Sequence, residues 1–151
     1  MLSRPVPMRP SAAFVGASWT ALMVGALSFL TGLWNAPMSM HEKGYYFTVL
    51  MYGLFSAVSV QKAVRDRLED VPVTGIYYGL AWFSTLLAIV LLVTGLWNAE
   101  MPRIEKGFYG IAFMMSLFAT VAVQKNTRDS TAAERIERGG AVEPRFELRK
   151  E

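Results

Sequence analysis

Thr31-Gly32-Leu33-Trp34-Asn35-Ala36 returns unchanged as Thr94-Gly95-Leu96-Trp97-Asn98-Ala99. The register then holds without a gap. Glu42-Lys43-Gly44 recurs as Glu105-Lys106-Gly107, and Gln61-Lys62 with Arg65-Asp66 recurs as Gln124-Lys125 with Arg128-Asp129. Between residues 31–66 and 94–129, 20 of 36 positions are identical, each pair 63 residues apart. A repeat of that length sets the architecture, because each copy is one supersecondary unit.

The charges define what kind of unit it is. No Asp, Glu, Lys or Arg lies between Arg9 and Glu42, between Lys43 and Lys62, between Asp70 and Glu100, or between Lys106 and Lys125. A helix crossing the hydrocarbon core needs about 20 apolar residues, with about 17 as the lower limit. All four windows qualify, and Tyr45, Tyr46, Phe108 and Tyr109 stand at the starts of the shorter two, where interfacial aromatics belong. The expected spans are 12–34, 45–62, 74–97 and 108–125. The first is too long for the apolar region of a cleaved leader, and its second copy lies in mid-chain. The fold expected is therefore all-α: an integral membrane four-helix protein made of two tandem, parallel helical hairpins. Its divisions are an N-terminal segment 1–11, repeats at 12–66 and 67–129, and a charged tail at 130–151. In the tail, Thr131 to Glu134 fits a capping box for a short helix over 131–138. Gly139-Gly140 then reads as a breaker, with disorder expected beyond it.

Lysine and arginine set the expected orientation. Twelve lie in the N-terminal segment, the central loop and the tail, against three (Lys43, Arg103, Lys106) in the two hairpin loops. Both termini and the central loop are thus expected on the cytoplasmic side of the membrane, with the loops near 35–44 and 98–107 outside. The net charge of +3 follows from this bias and does not indicate a nucleic-acid surface. Absence of cysteine excludes disulfide and thiol chemistry.

Among residues able to carry chemistry, the outer-face candidates are Trp34, Asn35, Glu42 and Lys43 with their copies Trp97, Asn98, Glu105 and Lys106. Tryptophan followed by asparagine suits an aromatic belt and a helix stop, with asparagine in the left-handed conformation. Side by side, the two pairs would line an outward pocket. Glutamate at a helix N-terminus complements the macrodipole, lysine there can snorkel to headgroups, and glycine permits a tight entry. A glutamate pair could otherwise bind a cation or serve as acid and base. Met38, Met40 and His41, with Met101 in the second copy, carry soft ligands for Cu(I). The second copy replaces Met40 and His41 by Arg103 and Ile104, so no metal or cofactor is expected.

The inner-face anchor consists of Gln61, Lys62, Arg65 and Asp66 with Gln124, Lys125, Arg128 and Asp129. Gln61 with Arg65, and Lys62 with Asp66, stand one helical turn apart and are placed to touch. Their cations suit both a helix C-terminus and an anionic leaflet. No ionisable residue other than tyrosine falls within any span, unlike the pattern of ion-coupled carriers. Small residues recur instead: Ala17, Ala21 and Gly25; Gly53 and Ala57; Gly75 and Gly79. Such stripes let helices approach closely, within one bundle or between copies.

The duplicated Gly-Leu-Trp-Asn-Ala, Glu-Lys-Gly-(Phe/Tyr)-Tyr and Val-Gln-Lys-x-x-Arg-Asp passages resemble the YiaA/YiaB two-helix domain of bacterial inner membrane proteins. With two copies in one chain, it resembles the YiaA side of that family. The resemblance covers about residues 12–129 and implies a four-helix inner membrane protein with cytoplasmic termini. It brings no catalytic residues. The function expected is a non-enzymatic component of the cell envelope in a structural, interaction or stress setting. Its partners are then the lipid bilayer and a second copy or another membrane protein, and not nucleic acid. The alternative is a small oligomeric transporter with Tyr52, Ser56, Ser59, Ser116 and Thr120 along a path. A catalytic role has no residue set to support it.

Overall fold

The computed structural model describes residues 9–142. They form four helices: α1 (Ala12–Asn35), α2 (Met40–Leu68), α3 (Gly75–Asn98) and α4 (Arg103–Val142). At 1.5 Å per residue, even the 24-residue α1 and α3 reach about 36 Å, enough for a hydrocarbon core of about 30 Å. All four are long and apolar enough to cross a membrane. Large side chains such as Phe55, Leu86, Ile111 and Phe118 are more than half exposed along the helix flanks. Apolar surface on that scale is tolerated when lipid covers it.

Local chemistry fixes the helix ends. Ser11 and Thr74 cap α1 and α3, their hydroxyls accepting from Phe14 N (3.2 Å) and Tyr77 N (3.3 Å). α2 begins at Met40, five residues ahead of the expected span, because Ser39 and Glu42 form a reciprocal capping box. α2 stops at Leu68. Asp70 takes a left-handed conformation (φ 56°), which aspartate tolerates better than most residues, and Pro72 follows. α4 has no such stop. The separate helix expected from Thr131 does not exist: Thr131 Oγ1 donates back to Thr127 O at 2.9 Å inside one continuous helix. Gly139-Gly140 lies within that helix and breaks nothing, so the helical part of the tail extends to Val142. The N-terminal segment before Arg9 and the expected disorder at 143–151 fall outside the described residues.

The packing departs from the expected hairpins. α1 lies chiefly against α4, α3 chiefly against α2, and α2 meets α4 in the centre. The two helices of one repeat touch only slightly, and among the described residues α1 and α3 do not touch. Each repeat thus lends its first helix to the second helix of the other. The reason is visible at three glycines. Gly25 sits against Ser116, Gly32 against Phe108 and Tyr109, and Gly95 against Tyr45 and Tyr46. Gly32 and Gly95 are equivalent positions, as are their aromatic neighbours, so the two seams are related by a pseudo-two-fold. Tyr46 and its copy Tyr109 stack near that axis, centroids 6.2 Å apart and planes 18° from parallel. Centrally, Gly53 of α2 admits the ring of Phe113 from α4. In lipid, where apolar burial between helices supplies little drive, close approach at small residues is what selects partners.

Candidate functional site

The hairpin end carries the repeated Trp-Asn and Glu-Lys-Gly residues. Trp34 and Trp97 are more than four-fifths exposed, whereas Asn35 lines an open depression with Thr31, Gly32 and Phe108. Asn35 and Asn98 are helical rather than left-handed. Each side-chain amide donates to the carbonyl one turn back, Thr31 O and Thr94 O, at 2.8 Å. The following residues, Ala36 and Ala99, are extended. Asparagine therefore ends these helices by hydrogen bonding, not by turning the backbone. The lysines complete the stop. Lys43 Nζ donates to Trp34 O at 2.8 Å and Lys106 Nζ to Trp97 O at 3.3 Å, so they cap the preceding helix of their own repeat instead of snorkelling.

Glu42 accepts from Ser39 N (2.8 Å) and Ser39 Oγ (2.7 Å). It lies ahead of the apolar stretch, and those hydrogen bonds hold its carboxyl below the usual carboxylate range. Glu105 holds the same place in α4, but Pro102 replaces Ser39, so the box is missing from the second copy. Gly44 and Gly107 have negative φ and open space around them, and no steric reason for glycine is visible. Met38 and Met101 pack against the core, whereas Met40 and His41 are exposed. The four soft-ligand residues are thus divided between core and surface.

At the terminal end the expected i,i+4 contacts are replaced by others. Arg65 Nη2 binds the adjacent Asp66 at 2.7 Å, and Arg128 Nη2 binds Asp129 at 2.7 Å. Glu69 joins the two copies, lying 3.1 Å from Arg128 Nη1 and 3.8 Å from Arg65 Nε. Glu69 escaped the sequence reading although it stands four residues after Arg65, a helical pairing distance. Lys62 and Lys125 are exposed and, among the described residues, make no ion pair. Gln61 and Gln124 each keep a buried Oε1 with no hydrogen-bond partner.

The five side chains of the transport alternative divide between two seams. Tyr52, Ser56 and Ser59 line a small pocket of about 100 Å³ against α3, near Tyr77 and Ser84. Ser116 is fully buried in the α1–α4 seam, one turn before half-buried Thr120. Ser56 and Ser116 donate to their own helix carbonyls, Gly53 O and Ala112 O, and so need no ligand. One buried polar contact does link the repeats: Asn126 Nδ2 donates to Ser18 Oγ at 2.9 Å. The equivalent positions in the other seam are Ala63 and Ala81, both buried. That paired departure of the two copies was the sequence signal for the contact.

A cleft of about 580 Å³ opens between α2, α3 and α4 toward the terminal end. Its deep walls are carbon, from Ala57, Ile89 and Met114, and its rim carries Gln61, Lys125 and Arg128. The volume lies within the range of small-molecule sites, roughly 300–1,000 Å³.

The family model described as the yiaA/B two helix domain matches residues 14–66 and again 77–129. The chain is 55% identical to the inner membrane protein YiaA of Escherichia coli (strain K12) over 120 residues, 80% of this chain and 83% of that protein. It is 33% identical to the inner membrane protein YiaB of the same organism over 97 residues, 64% of this chain and 81% of YiaB. A third relative, the uncharacterized membrane protein YubF of Bacillus subtilis (strain 168), is 35% identical over 63 residues, 41% of this chain and 72% of YubF. No solved structure matches the chain. The chain belongs to the YiaA/YiaB two-helix domain family, in tandem.

Proposed function

We propose that this tandem member of the YiaA/YiaB two-helix family is a non-enzymatic, multi-pass component of the bacterial inner membrane. It serves the cell envelope by packing, through its lipid-facing helices, against a second copy or another membrane protein. One observation carries the reading. The polar groups of the repeated outer motif are engaged by the protein itself, Asn35 with Thr31, Lys43 with Trp34 and Glu42 with Ser39, and again Asn98 with Thr94 and Lys106 with Trp97. Groups held in that way close helix ends; they are not aimed at a substrate. Outward, α1 and α3 bury far less of their spans than α2 and α4. Gly75 and Gly79 of α3 face open space, which leaves small-residue surface for helix association.

In this reading the hairpin end faces outward, and the anchor of Gln61, Lys62, Arg65 and Asp66 with its copy Gln124 to Asp129 lies at the cytoplasmic surface. Cross-linking in native membranes tests the packing role, with a discrete homo- or hetero-oligomer expected; a strictly monomeric chain contradicts it. Reporters fused to each terminus test the orientation, with both expected active only on the cytoplasmic side.

A further inference from the structure

We infer that the cleft between α2, α3 and α4 is a binding site for an anionic phospholipid of the leaflet at the terminal end, its acyl chain along the groove and its phosphate on Lys125. This rests on the chain's residence in a bilayer and not on which leaflet is cytoplasmic.

The dimensions fit one leaflet. On α4 the lining runs from Met114 to Arg128, about 21 Å at 1.5 Å per residue, and on α2 from Ala57 to Leu68, about 16 Å. Half of the hydrocarbon core is about 15 Å, so the groove reaches from the middle of the bilayer to the headgroups. Its chemistry is graded in the same direction. Ala57, Ile89 and Met114 supply hydrocarbon at depth, and Trp82 is partly exposed on the α3 wall. Polar groups begin at Gln61.

The charges at the rim are not equivalent. Arg65 and Arg128 are held by Asp66, Asp129 and Glu69. Three carboxylates thus answer two guanidiniums, which fixes those side chains and cancels their field. Lys125 lines the same cleft and, among the described residues, has no carboxylate partner. It is the cation available to a phosphate. Gln61 lines the same cleft and marks where its wall turns polar. A phosphate ester carrying an acyl chain answers both the carbon walls and the lysine, which an apolar peptide helix would not.

The test uses full-length protein, delipidated in detergent, with phosphatidylglycerol or phosphatidylcholine of identical chains added and bound lipid counted by native mass spectrometry. Wild type is expected to retain phosphatidylglycerol over phosphatidylcholine by about fivefold, the factor one lysine near an anionic surface contributes. Lys125→Gln is expected to abolish that preference, bringing retention of phosphatidylglycerol down to that of phosphatidylcholine. Val121→Trp, which fills the groove, lowers retention of both. Arg103→Gln, at the hairpin end, leaves the preference intact. Thermal unfolding of each variant in detergent identifies any loss due to misfolding, and Lys125, being exposed, keeps the test available if Val121→Trp does not fold. Equal retention of the two lipids by wild type, a preference that survives Lys125→Gln, or an equal loss in Arg103→Gln overturns the proposal. So does a folded Val121→Trp that loses a protein dimer rather than a lipid.

Discussion

Replacing Gly25 by alanine tests the seam between α1 and α4. A Cβ at position 25 would stand 2.7 Å from Ser116 Oγ, 3.0 Å from Ser116 N and 3.2 Å from Ala112 O, whereas ordinary contact begins at 3.4 Å. Two of these atoms are backbone, so α4 itself must move. Overpacking of this kind costs about 1–3 kcal/mol. Against it stands the helix-propensity gain of alanine over glycine, about 0.8–1 kcal/mol. Gly16, on the same helix, has nothing within 4 Å, so Gly16→Ala carries the propensity gain alone. The difference between the two variants isolates the steric cost. Reversible unfolding in mixed micelles, followed by tryptophan fluorescence, should place Gly25→Ala below Gly16→Ala by about 1–3 kcal/mol. The repeat supplies a rescue: the equivalents of Gly25 and Ser116 are Ala88 and Gly53, both buried. Gly25→Ala with Ser116→Gly reproduces that combination, removes the 2.7 Å contact but not the two backbone ones, and should recover part of the loss. If Gly25→Ala and Gly16→Ala agree within about 0.5 kcal/mol, the margin within which independent sites add, α1 does not lie against α4 and the reasoning fails.

Asn126→Ala removes the Ser18 contact but leaves Ser18 donating to Phe14 O at 2.8 Å. A double-mutant cycle with Ser18→Ala should give a coupling of about 0.6 kcal/mol, and not above about 1.7, the range for such bonds in membranes. Tyr45 Oη donates to Leu91 O at 2.6 Å, yet Phe108 fills the equivalent place in the other copy; Tyr45→Phe should therefore cost no more than about 1 kcal/mol in the same unfolding assay. Ser39→Ala removes the cap of α2 and should cost about 0.5–2 kcal/mol, whereas Pro102→Ala at the same place in α4 removes no cap; hydrogen exchange in the first turn of each helix separates the two. Glu42, held below the usual carboxylate range by Ser39, contributes its stabilisation above its unfolded value and loses it as pH falls through the lowered one. Protection of the first turn of α2 should therefore fall with acidification in wild type, and depend less on pH in Ser39→Ala.

The four spans were legible because charge is costly in hydrocarbon and so cannot be scattered, and the duplication was legible by identity alone. The partners of the helices were not. A soluble helix announces its packing face by alternation with polar residues, but lipid and protein interior are both apolar, and Phe29 (buried) and Phe55 (exposed) look alike in sequence. Small residues mark approach without saying whose: Gly25 and Gly53 are inside, while Gly75 and Gly79 face open space. At the helix ends the residue types pointed to the right task by the wrong means. Asn35 stops α1 through its amide, and Lys43 reaches nine residues back to Trp34 O, a loop-spanning contact that no local pattern encodes. Ser39-x-x-Glu42 carries a capping-box pattern that the sequence reading passed over, and so the start of α2 was expected five residues too late. The cleft was out of reach, since it is lined from three helices whose arrangement depends on those unannounced seams.

The exchange of helices between repeats is tested most directly by a cross-link, for which the absence of native cysteine leaves a clean background. Cysteines at Ser18 and Asn126, oxidised or bridged by a short bis-maleimide in native membranes, should join the two repeats. After cleavage at a protease site engineered between α2 and α3, the halves should then migrate as one species and separate only when the link is omitted or, for the disulfide, reduced. Halves that part regardless of cross-linking would mean that each repeat packs upon itself.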